Sequence, residues 1–152
     1  PEFCRRPDKP WEGVDYFARD NDYHVDLMDI LGSWQAGSSP ALHEIATLSG
    51  IPGKFAADGE AVAPMWLEGR WRQIVQYNCF DALTTYLLWL RMAHLAGHVD
   101  ADGYEEEQLL LNDRLLELAE KPETEFLNRY IEEWERLRAA TAPAAAATPR
   151  EP

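Results

Sequence analysis

The sequence predicts a mostly helical chain, with one short strand near residues 23–31 and a C-terminal helical hairpin. Three observations carry this expectation. From Trp71 to about Ala96 the pattern is continuously helical. Residues 104–138 hold two amphipathic patterns separated by Pro122, which cannot continue a helix. Tyr23–Leu31 sets Val25 and Leu27 on alternate positions from His24, Asp26, Met28 and Ile30, the period of a strand, although so short a run also suits a helical turn.

Residues 1–22 are rich in Pro, Gly and charge and read as an irregular segment. Pro1-Glu2-Phe3 is set aside because it also fits a junction left by cloning. After the strand, Gly32, Gly37 and Ser38-Ser39-Pro40 break the pattern. Ser39 as cap and Pro40 at the first helical position predict a helix of about ten residues. Its face is Leu42, Ile45, Ala46 and Ser49, and Gly50 ends it. Gly50-Ile-Pro-Gly-Lys54 is then a turn presenting Lys54; it lacks the spacing of a nucleotide-binding loop.

Residues 60–68 predict a short helix carrying Val62, Met65 and Trp66, closed by Gly69. In the long helix Ile74, Tyr77, Asn78, Asp81, Leu88 and Leu95 fall near one stripe, widened by Val75, Leu83, Tyr86, Leu87 and Leu90. A break near Cys79 is compatible with Phe80-Asp81-Ala82 starting a second helix. The hairpin pairs a helix from about Glu105 to Glu120 with one from Glu123 to Arg138. The second carries Phe126, Leu127, Tyr130, Ile131, Trp134 and Leu137 on one face. Residues 139–152 are of low complexity and are expected to be a disordered tail.

The net charge of −13 speaks against a surface that wraps nucleic acid by counterion release. It is uneven: residues 100–137 hold 13 acidic and 4 basic side chains, a balance of −9, so the acidity belongs mainly to the hairpin. Cys4 and Cys79 form no CxxC or Cys/His cluster, which fits a reducing, cytoplasmic setting. The apolar stretch from Ala82 to Ala96 is interrupted by Thr84, Thr85, Arg91 and His94, so a membrane span is not expected.

Tyr77 and Asp81, four residues apart on a helix, share one face. A carboxylate that holds a divalent metal beside a phenol that orients water is the division of labour of metal-assisted phosphodiester hydrolysis. The bland reading of the same pair is a packed tyrosine next to a solvated aspartate. Other candidates are weaker. Asp26 and Asp29 point to opposite faces if on a strand and converge only on a helical turn. His24 reads as a structural histidine, and His43, His94 and His98 make no zinc signature. Ser38 and Ser39 lack a nucleophile elbow. Trp66, Trp71, Trp89 and Trp134 read as core or groove walls.

His24-Val-Asp-Leu-Met-Asp29, Leu42 through Gly50-Ile-Pro-Gly-Lys54, and Ile74-Val-Gln-Tyr-Asn-Cys-Phe-Asp81-Ala-Leu-Thr-Thr-Tyr86 together resemble the predicted 3'-5' exonucleases related to the proofreading domain of family-B DNA polymerases. The resemblance spans roughly residues 10–100, and the partial exonuclease domain is taken as residues 23–138. It implies a ribonuclease H-like α/β fold, of which this chain is a C-terminal part, and a DEDDy-type site with four carboxylates on two Mg²⁺ or Mn²⁺ ions. On the tyrosine-bearing third motif, Asp81 is the implied metal ligand and Tyr77 the residue that places the attacking water. Lys54 and Arg72 are candidate phosphate contacts. The implied substrate is the 3' end of single-stranded nucleic acid, with DNA expected before RNA. The first two carboxylate motifs are not matched by Asp8, Asp15, Asp20 or Asp22, so the chain is expected to be inactive by itself and prone to self-association through uncovered apolar surface. The rival expectations are a non-catalytic acidic helical module that binds a basic partner, and a degenerate exonuclease fold that binds ends without cleaving them.

Overall fold

The computed structural model describes residues 26–32, 40–53, 55 and 59–141, and all of them that lie in regular structure are helical. They fall into two units, one ending at Pro40 and the other beginning at Ala41. In the first, Leu27–Leu31 is a short α-helix, α1, where the sequence suggested a strand. Asp26 caps it, accepting from the backbone N–H of Met28 at 2.9 Å. So short an alternation suits either period; the capping aspartate decides for the helix. Residues 1–25 and 33–39, including His24, Ser38 and Ser39, lie outside the described residues.

The second unit contains α2 (Leu42–Leu48), α3 (Gly59–Leu67), α4 (Trp71–Leu95), α5 (Ala101–Ala119) and α6 (Leu127–Thr141). α2 begins after Pro40 instead of at it, with the Glu44 carboxylate accepting from the Ala41 N–H at 3.2 Å. Helices α2, α3 and α4 end alike. Gly50, Gly69 and Gly97 adopt φ near +71 to +79°, and the next residue donates back to the carbonyl of Ala46, Met65 or Ala93 at 2.8–2.9 Å. This turn satisfies the last helical carbonyls and suits glycine, which has no Cβ to crowd the backbone at positive φ.

α4 runs unbroken through Cys79. Its buried positions are Phe80, Thr84, Leu87, Leu88, Leu90 and Ala93, not the full expected stripe; Val75 and Leu95 are exposed. Over so long a helix the packed face changes partners: α3 lies against α4, α2 and α5 also pack on α4, and α5 packs on α6. Asp100 starts α5 four residues earlier than expected, its carboxylate accepting from the Gly103 N–H at 2.8 Å. Successive turns over residues 121–126, with the Thr124 hydroxyl donating to Leu118 O at 2.6 Å, delay α6 to Leu127. α6 then continues through residues 139–141, expected to be tail.

The core follows the expected face of α6: Leu127, Tyr130, Ile131, Trp134 and Leu137 are buried, together with Leu87, Leu88 and Leu90 of α4 and Leu115 of α5. Each such side chain contributes about 1.5–3 kcal/mol by leaving water. Of the tryptophans expected as core or groove walls, Trp134 is core. Trp66 and Trp71 instead meet edge-to-face on the surface, and Trp89 stacks beside Tyr86 while largely exposed. No helix among the described residues is long and apolar enough to cross a membrane.

A buried polar chain crosses this core. The Thr84 hydroxyl donates to Pro52 O at 2.8 Å and lies 3.2 Å from the Tyr130 hydroxyl. Because threonine has one proton to give, Tyr130 must donate to it. Thr84→Val is expected to lower stability by about 1–3 kcal/mol, the cost of leaving a buried carbonyl and a buried hydroxyl unmet; urea unfolding with unchanged slope checks it. Burial holds the Tyr130 phenol well above its ordinary value. The folded chain therefore keeps a proton that the unfolded chain loses near pH 10, so this contribution is full below that pH and declines as pH rises above it. Tyr130→Phe is expected to show a shallower alkaline loss of melting temperature than the wild type.

Candidate functional site

Tyr77 and Asp81 sit on one face of α4, one turn apart, and line the same cleft of about 360 Å³. The turn at Gly69 brings α3 back against α4, so Met65 forms one wall. Phe55 forms another, its ring 4.6 Å from that of Phe80 and 5.5 Å from that of Tyr130. The Tyr77 hydroxyl points to the start of α3, 3.9 Å from where a Cβ on Gly59 would stand. Asp81 is half-buried, and its carboxylate makes no hydrogen bond or ion pair among the described residues. The arrangement places an unengaged carboxylate and a phenol side by side in a concave, partly apolar site.

Two arginines face this cleft. Arg70, at the start of α4, donates to Gln73 Oε1 at 2.6 Å, and its Nε lies 2.6 Å from Glu68 in a contact that is Coulombic, not a directed hydrogen bond. Arg129 of α6 donates to Phe55 O at 2.7 Å and lies over the Phe55 ring, 5.3 Å from its centre. A second cleft of about 500 Å³ adjoins the first, sharing Gly53, Phe55 and Arg129 and adding His43, Glu133 and Arg136.

Of the residues singled out in the sequence, Tyr77 and Asp81 come together. Arg72 is exposed on α4 and is not among the lining residues, and Lys54 lies outside the described residues. Asp26 is accounted for as a helix cap and Asp29 is buried in α1. His94 stacks on Tyr104 at 4.7 Å and bonds Val99 O at 2.9 Å, a structural role, while His98 is exposed. No three His, Cys, Asp or Glu side chains converge as a metal site among the described residues. Asp81 alone does not fit a two-metal centre, since each hard divalent cation needs six or more oxygen ligands. Sequence reasoning missed Phe55, Arg70 and Arg129. Arg129 borders the apolar face of α6, but its neighbour 74 residues away is set by packing.

The cleft floor depends on Gly53, where a Cβ would lie 2.8 Å from His43 O and 2.9 Å from Thr47 Oγ1. Gly53→Ala is expected to cost about 1–3 kcal/mol by forcing the loop off α2. A urea midpoint unchanged from wild type would contradict that close approach.

The family described as predicted 3'-5' exonuclease related to the exonuclease domain of PolB matches residues 1–134. The 4-hydroxy-3-methylbut-2-enyl diphosphate reductase 1 of Rhodopseudomonas palustris is 41% identical over 46 residues, 30% of this chain. The chain spans about 15% of that protein's length. No solved structure matches.

Proposed function

The chain belongs to the family of predicted 3'-5' exonucleases related to the exonuclease domain of PolB, and from that premise we propose that the Tyr77/Asp81 cleft receives the 3' end of a single-stranded nucleic acid, DNA in the first instance, for phosphodiester hydrolysis. The observation that carries this is the convergence of Tyr77 and Asp81 in one cleft beside Arg70 and Arg129. A carboxylate with no protein partner among the described residues is available to an external group, and arginines suit phosphate oxygens. In this reading the Tyr77 hydroxyl orients the attacking water. Phe55 offers an aromatic face of the kind on which bases stack.

In this reading the helices are the helical part of a ribonuclease H-like domain, and Asp81 supplies one ligand to a Mg²⁺ or Mn²⁺ site. The first two carboxylate motifs of such a site are not matched in this sequence, and the proposal includes inactivity of the chain by itself. A reducing, cytoplasmic setting accords with the cysteine usage. The short match to a diphosphate reductase carries no activity over, because it covers too little of that enzyme.

The test is degradation of a 3'-labelled single strand with Mn²⁺ by three proteins: this chain, a version extended upstream to include an Asp-x-Glu strand, and the extended version carrying Asp81→Ala. Activity is expected in the extended wild type alone, with Asp81→Ala reduced roughly 100-fold or more, the scale of losing a group that holds transition-state charge. A folded but inactive extended protein would move the reading to a non-catalytic helical module, for which the acidic α5 with exposed Leu109 and Leu110 is the natural surface.

A further inference from the structure

The two adjoining clefts are lined by three arginines that differ in how their charge is met. Arg70 has Glu68 against its guanidinium. Arg136 is chelated by Glu133 through two hydrogen bonds of 2.7 and 2.8 Å, and that pairing holds the Glu133 carboxyl below the usual carboxylate range. Arg129 pairs with no carboxylate among the described residues. A neutral carbonyl and a ring face hold it instead, both of which fix its orientation and leave its charge unneutralised. One N–H is used on Phe55 O, and a guanidinium has five to offer.

A cation held in place without a counter-ion, at the junction of two clefts, in a chain of net charge −13, is arranged for an anion that comes from outside. We infer that Arg129 is a positioning residue that grips a backbone phosphate of the strand, upstream of the phosphodiester presented to Asp81. This rests on the exonuclease reading for the identity of the strand. Its planar fork matches two phosphate oxygens at once, which a lysine cannot reproduce. The two clefts share Gly53, Phe55 and Arg129, so a strand whose 3' end lies at Asp81 meets Arg129 as it leaves the first cleft.

The test is fluorescence anisotropy of a 5'-labelled single-stranded oligodeoxynucleotide, in chelator-containing buffer over a salt series, with the wild type, Arg129→Gln, Arg129→Lys and Arg114→Gln. Arg114 pairs with Glu117 on α5, outside both clefts, so its variant carries the same charge change elsewhere. Arg129→Gln is expected to bind about tenfold more weakly and to lower the slope of log affinity against log salt by about one. Arg129→Lys should keep the slope and lose part of the affinity, and Arg114→Gln should match the wild type. Independently of any variant's folding, the oligonucleotide should protect Arg129 from phenylglyoxal, read by mass spectrometry on the wild-type chain. Wild-type binding with an unchanged slope in Arg129→Gln, or with no protection of Arg129, overturns this inference and leaves the exonuclease reading in place. No binding by the wild type at any salt overturns both.

Discussion

The buried relay from the Tyr130 hydroxyl through Thr84 to Pro52 O is the constraint on which the rest of the second unit depends. It joins α6, α4 and the turn after α2, three segments that share no local sequence. Hydrogen bonds in a dry core are worth only about 1 kcal/mol each in net terms, but an unmet partner costs more, so the relay specifies one register more than it adds stability. Everything in the first cleft is counted from it. Asp81 lies one turn and Tyr77 two turns before Thr84 on α4. Arg129 is the neighbour of Tyr130, and Phe55 follows Pro52 closely enough to pack on Tyr130 and Phe80. A shift in the relay would move the phenol, the carboxylate and the guanidinium relative to one another.

Electrostatics adds a second layer. The chain is strongly acidic, yet the two clefts hold three arginines, of which two are answered by carboxylates and one is not. Net charge describes behaviour beyond about a Debye length, whereas a phosphate in a cleft responds to the few groups that face it. The acidic composition therefore bears most on α5, with six carboxylates and one arginine. Arg91 illustrates the structural use of the same side chain. It donates to Tyr104 at 2.8 Å and to Ser49 O at 2.9 Å, tying α4 to α5 and to the end of α2.

Much of this was legible in the sequence. The face of α6 was read from three and four residue spacing, the ends of α2 and α3 from Gly50 and Gly69, and the Tyr77/Asp81 pair from helical geometry alone. The first helix was not, because a short alternating run fits either period and only the Asp26 cap separates them. The stripe on α4 was drawn too straight: over 25 residues the helix meets α2, α3 and α5 in turn, so Val75 and Leu95 fall on open surface. Arg129 and Phe55 were invisible as a pair because their contact joins distant parts of the chain, and nothing in the local pattern of either marks it.

The central claim is that the 3' end of a strand lies in the cleft of Tyr77 and Asp81. The most direct measurement is photo-crosslinking with an oligodeoxynucleotide carrying a photoreactive base at its 3' terminus, followed by mass spectrometric mapping of the crosslinked peptide, which needs no catalytic turnover. The account predicts adducts on the peptides bearing Phe55 and residues 70–81, lost when the photoreactive base is moved to the 5' terminus. Adducts concentrated on the outer face of α5, or the same adducts from either terminus, would contradict it.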